Sequence, residues 1–154
     1  MENPSWGWGL SLVAVTMAIH ATGVVMMAFA ALRIRARLET SRYDLWKLIA
    51  VLICMIVVIG LLLAVLHAIE CAIWAAAYWW LGALDSFPDA LLYSVDSMST
   101  RGATRLALER HWQMMGALEA VNGMLLFGVS AAYIFSKMQT WWPILSVQAT
   151  RRRS

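Results

Sequence analysis

Charge is scarce in this sequence. Only 14% of its 154 residues are Asp, Glu, Lys or Arg, against about 25% in soluble globular domains. With 62% hydrophobic residues and a mean hydropathy of +0.68, that shortage excludes an ordinary cytosolic enzyme, a disordered regulator and a nucleic-acid-binding domain. The net charge of +3 does not bring nucleic acid back, because the basic residues form no patch on a soluble face. Cysteine is also nearly missing. Cys54 and Cys71 sit in one apolar run, which as a helix separates them by about 25 Å. A disulfide needs Cα atoms within about 7 Å, so both read as small hydrophobes. The segment before the first apolar run, Met1 to Ser5, has no basic residue. That run is therefore expected to be a retained helix and not a cleaved leader. Repeats and low-complexity tracts are absent, and the length allows one domain.

What the sequence does have is long apolar runs. The first spans Trp8 to Leu32 with no charged side chain, interrupted only by Ser11, Thr16, His20 and Thr22. About 25 residues suit a tilted bilayer-crossing helix. The second runs from Leu48 to about Leu81, broken by His67 and Glu70. At about 50 Å it exceeds a hydrocarbon core of roughly 30 Å, so it should project or tilt. Trp74, Tyr78, Trp79 and Trp80 are expected to mark its interfacial end. The third extends from about Trp112 to Phe135 and carries Glu119 and Asn122. Between the last two lies a different kind of segment. Ser86 or Asp85 followed by Pro88 is a helix-start signal. It predicts a helix over about Pro88 to Ser99, too short to cross a bilayer and of the length of a re-entrant segment.

Basic residues give the expected orientation. Arg33, Arg35, Arg37, Arg42 and Lys47 lie in the first connector, and Lys137 with Arg151, Arg152 and Arg153 in the tail. These are nine of the 12 Lys and Arg; Arg101, Arg105 and Arg110 fall on the other side. The positive-inside bias places the connector and tail in the cytoplasm and the N-terminus outside.

The order of span, short re-entrant helix, polar glycine-containing loop and span is the plan of a cation-channel pore. Phe87 to Phe135 resembles the pore module of a bacterial potassium-channel family. In that family an inner helix opens with a motif like W-R-L-L-G-A-I-E-x-x-N-G-L-x-L-F-G-W-S. Here it reads Trp112, Gly116-Ala117-Leu118-Glu119, Asn122-Gly123 and Phe127-Gly128-Val129-Ser130. The second span, with His67-Ala68-Ile69-Glu70, resembles the outer helix of small members, so the similarity covers the chain from the start of that span onward. The resemblance implies an all-α integral membrane protein with three transmembrane helices and a re-entrant pore helix, in a bacterial cytoplasmic membrane. Its parts would be an N-terminal helix and basic connector (1–47), a pore module (48–136) and a basic tail (137–154). It further implies a homotetramer, with Gly123 and Gly128 as hinge positions and Glu119 and Asn122 facing the pore helix and filter base. Glu119 would be placed to pair with a loop base such as Arg105.

The departure falls in the filter, where the family has T-T-x-G-Y-G-D and this chain has Ser99, Thr100, Arg101, Gly102, Ala103, Thr104 and Arg105. Thr104 stands in place of the second glycine, whose backbone conformation is costly for a residue with a Cβ. Ala103 replaces the bracing tyrosine, and Arg101 takes an apolar position, where an unpaired charge costs several kcal/mol. The stacked carbonyl rings of a potassium filter are not expected to form. Arg101 has three readings: facing a tetramer axis, pairing with Asp96 one turn earlier, or solvated on a splayed loop.

His67 and Glu70 are i,i+3 and share a helix face, and an ionisable pair inside a membrane is a functional hypothesis. A metal would need more ligands. Counted from the ends of the apolar runs, His20 is about 12 residues deep and His67 about 20, a mismatch of about 12 Å, so a local polar pair is expected. The sequence holds no nucleophile–base–acid set, phosphate loop or haem motif. The expectation is therefore no enzyme, no cofactor and no metal. The function expected is an ion-channel-like pore protein without potassium selectivity, in contact with lipid. The alternative is an accessory subunit of a larger membrane complex.

Overall fold

The computed structural model describes residues 4–39, 45–102 and 106–151. Four helices follow in order: α1 (Pro4–Glu39), α2 (Leu45–Trp80), α3 (Phe87–Met98) and α4 (Gln113–Arg151). No strand occurs among the described residues. Within them Ser5–Ile34, Trp46–Trp80 and Gln113–Pro143 are long and apolar enough to cross a membrane. Their surfaces agree with that environment. Ile53, Val57, Val58, Leu61, Leu62 and Val65 of α2 are all exposed, Leu61 by 63%. A helix apolar all round belongs in a large core or in lipid.

The long helices overrun the apolar runs that announce them. α1 continues from Leu32 through Arg33, Arg35 and Arg37 to Glu39, and α4 passes Phe135 and Lys137 to end at Arg151. Arginine, lysine and glutamate are good helix formers. A change from apolar to charged residues thus marks a change of solvent and not the end of a helix.

α3 starts as its sequence predicts. Ser86 is the N-cap, its Oγ accepting from the Asp89 backbone N–H at 3.2 Å, and Pro88 lies in the first turn. Both α2 and α3 end in one motif. After α2, Ala83 N–H donates to Tyr78 O and Gly82 N–H to Trp79 O, with Gly82 at φ +70°. After α3, Arg101 N–H donates to Asp96 O and Thr100 N–H to Ser97 O, with Thr100 at φ +58°. This is a Schellman cap, which puts a left-handed residue, usually glycine, just past the helix.

The chain divides into two compact units. The first takes the chain up to Ala21 together with Val65–Gly128. Its core is Cys71, Trp74, Ala75, Tyr78, Ala90, Met98, Leu108, Trp112, Met115 and Leu126. Trp74 and Tyr78 are fully buried there, while Trp79 and Trp80 are exposed. The aromatic cluster expected at the interface is therefore split: the spacing 71, 74, 78 runs along the inward face of α2. The second unit takes Thr22–Ala64 and the chain from Val129, around Ile59, Leu63 and Tyr133. There Lys137 Nζ lies 4.9 Å from the centroid of the Tyr133 ring.

Candidate functional site

The first unit buries more polar side chains than a lipid-embedded core tolerates without partners. Thr16, His20, Glu70, Ser94, Asp96, Ser97, Glu119 and Asn122 are all buried. They sort into four groups.

The first joins α1 and α2. His20 Nδ1 is 2.9 Å from Glu70 Oε1, and His67 Nδ1 is 3.2 Å from Glu70 Oε2. The imidazole centroids are 5.1 Å apart and inclined by 41°. Glu70 and His20 are buried, whereas His67 is 26% exposed. This corrects the expected depth mismatch between His20 and His67. α1 runs on beyond Leu32 to Glu39, and α2 begins at Leu45, ahead of its apolar run. Counted from these true helix ends, the difference in depth shrinks to about 4.5 Å, which side-chain reach absorbs. His20, His67 and Glu70 are a group of metal-ligating side chains whose donor atoms all lie within 4.8 Å of one another.

The second group surrounds Glu119 on α4. Tyr78 Oη donates to Oε2 at 2.8 Å, and Ser94 Oγ lies 2.5 Å from Oε1. Ser94 Oγ is also 2.9 Å from the Cys71 carbonyl, and its single hydrogen serves one acceptor at a time. Glu119 thus meets α2 and α3 through their hydroxyls. Its anticipated partner Arg105 lies outside the described residues, as do Ala103 and Thr104. Beside it, burial and then the Glu119 carboxylate push the Tyr93 phenol up to about 12.

The third group departs from expectation. Asn122 Nδ2 donates to Thr16 Oγ1 of α1 at 2.8 Å, and not to α3. Thr16 in turn donates to the Leu12 carbonyl at 2.8 Å, the usual back-bond of a helical threonine.

The fourth group is the segment aligned with the filter. Arg101 Nη2 pairs with Asp96 Oδ1 at 2.5 Å, although Arg101 is 64% exposed. Of the three readings of Arg101, pairing is the one seen. The backbone N–H groups of Arg101 and Gly102 both reach Asp96 O, at 2.9 and 3.3 Å. The Ser99 hydroxyl also donates to that oxygen, at 3.2 Å. Ser99 to Gly102 therefore curl onto the end of α3 instead of extending away from it. Ser97 Oγ donates to the Gly116 carbonyl at 3.0 Å, fixing α3 on α4. Gly123 lies against the Met98 carbonyl, where a Cβ would collide with it; Gly128 has open space.

Tyr78, Ser94 and Thr16 carry these groups, and the sequence does not mark them as site residues. Tyr78 could have been found from its spacing, since it follows Glu70, Cys71 and Trp74 at helical intervals. Ser94 and Thr16 give no signal beyond a hydroxyl in an apolar context. No family model, curated protein or solved structure matches the chain.

Proposed function

We propose that the chain is a potassium-channel-like pore module whose filter position is taken by a closed helix cap, so that it does not select potassium. In this reading α2 is the outer helix, α3 the re-entrant pore helix and α4 the inner helix. The N-terminus lies outside a bacterial cytoplasmic membrane, the basic tail lies in the cytoplasm, and four copies surround an axis. The carrying observation is the fate of residues 99–102. A potassium filter needs an extended strand whose carbonyls replace the ion's water. Here the N–H groups of Thr100, Arg101 and Gly102 are all spent on carbonyls of α3. Arg101 brings a cation to this point and holds it on Asp96. Two like charges about 4 Å apart cost about 4 kcal/mol at an effective dielectric near 20, so four such arginines do not crowd an axis unpaired.

Reconstitution into vesicles with a potassium gradient tests this. Expected is no potassium-selective current; any residual current is weakly selective or anionic and changes in Arg101→Val. A reversal potential that follows the potassium gradient in the unmodified protein overturns the reading.

The Asp96–Arg101 pair also favours a second reading, a non-conducting subunit that keeps the fold as a scaffold in a larger membrane complex. Native mass measurement separates the two: a homotetramer supports the pore, and one copy among foreign subunits supports the scaffold.

A further inference from the structure

We propose that His20, His67 and Glu70 form a binding site for a divalent first-row transition metal ion, with zinc as the best match. The inference is independent of the pore reading.

The charge balance comes first. Glu70 is fully buried, and no Lys or Arg occurs in the stretches 4–32, 48–80 or 113–136 of the three long helices. A carboxylate held away from water needs a compensating charge or a proton. The histidines are the groups at hand, yet one imidazolium would suffice to neutralise one carboxylate. Two imidazoles converge instead, one on each oxygen, at 2.9 and 3.2 Å. Glu70 Oε2 is buried and makes no aligned hydrogen bond, so its contact with His67 is one of proximity and not of donor geometry. Two imidazoles and one carboxylate, with a donor atom of each within 4.8 Å of the others, are the residue types of a zinc site with an open fourth position.

The dimensions agree. A tetrahedral ion with bonds of about 2.0 Å has ligand–ligand edges of about 3.3 Å. One donor atom from each of the three residues fits inside 4.8 Å, a span that includes such an edge, while the 2.9 and 3.2 Å contacts run to different oxygens of the Glu70 carboxylate. His67 supplies the access. It lines a groove of about 340 Å³ with Cys71, Met98, Gly123 and Phe127, through which an ion and a fourth, exogenous ligand reach the buried pair. Cys71 Sγ already donates to Met98 Sδ at 3.5 Å, so the groove wall beside the site carries two soft sulfur atoms.

The test is a cobalt(II) titration of the chelator-stripped full chain in nanodiscs, read by ligand-field absorption and by metal content. Expected is one equivalent of cobalt with the intense visible bands of a low-coordinate nitrogen–oxygen site, displaced by zinc. His20→Gln and Glu70→Gln should each weaken binding by at least about 10-fold, a loss typical even of residues that only support ligands. His111→Gln, in the exposed turn just before α4, should bind as the unmodified chain does. Absence of the bands in unmodified protein, or bands that persist in the His20→Gln/Glu70→Gln double variant, overturns the proposal. Because the unmodified chain alone gives the first of these results, a variant that fails to assemble does not leave the question undecided.

Discussion

Gly82 and Thr100 occupy the same place in the same cap, with the same pair of backbone bonds and φ values of +70° and +58°. Glycine adopts that conformation freely, whereas a side chain with a Cβ loses roughly 1–2 kcal/mol in it. Thr100 is tolerated because its neighbours over-determine the turn: Arg101 is anchored through both backbone and guanidinium to Asp96. Thr100→Gly should therefore stabilise the protein by about 1 kcal/mol, and Gly82→Ala should cost about as much. Thermal unfolding in detergent, followed by circular dichroism, checks both signs. Loss of stability in Thr100→Gly would mean that its hydroxyl or methyl holds the turn, and the strain account would fail.

At the scale of helices, the seat of α3 on α4 depends on two close approaches. A Cβ at Gly116 would strike the Tyr93 hydroxyl, and one at Gly123 the Met98 carbonyl, which is backbone and cannot swing aside. Gly123→Ala should cost about 1–3 kcal/mol, the range for overpacking a filled site. Gly128→Ala, with open space around it, should be neutral or gain up to about 1 kcal/mol of helix propensity. Equal effects in parallel melts would favour the hinge reading of both glycines over the packing one. The α3 segment also shows what a sequence discloses. Its start was legible because Ser86 and Pro88 act on the chain next to them. Its end was legible too, expected at about Ser99 and found at Met98; the form of the cap was not, because Thr100 performs a glycine's task and only tertiary anchoring allows that. Likewise, the three long helices were legible as spans from hydropathy alone. The end of α2 and the start of α4 fell within a residue of expectation, but the ends at the charged flanks, Glu39 of α1 and Arg151 of α4, were hidden, since arginines continue a helix as readily as they leave a bilayer. That misplacement concealed the meeting of His20 with Glu70. Tyr78 was hidden differently, by neighbouring tryptophans that do face outward.

For the molecule as a whole, three long helices with the proposed orientation put opposite ends on opposite sides of the membrane. A cysteine introduced at Asn3 should react with an impermeant reagent from outside, and one at Arg152 only after the membrane is opened. Labelling of both from one face would require an even number of crossings and remove the three-span arrangement. The polar bonds of the first unit bear on how such a chain is made. His20 and Glu70 are 50 positions apart, and Thr16 and Asn122 are 106 apart. If the helices enter a bilayer in chain order, His20 of α1 meets Glu70 only when α2 arrives, and Thr16 meets Asn122 only when α4 follows. Each such bond between helices in lipid is worth about 1 kcal/mol. On that course the order of the partners along the chain is an order of assembly: α1 would be held first by its bond to α2 and only later by its bond to α4.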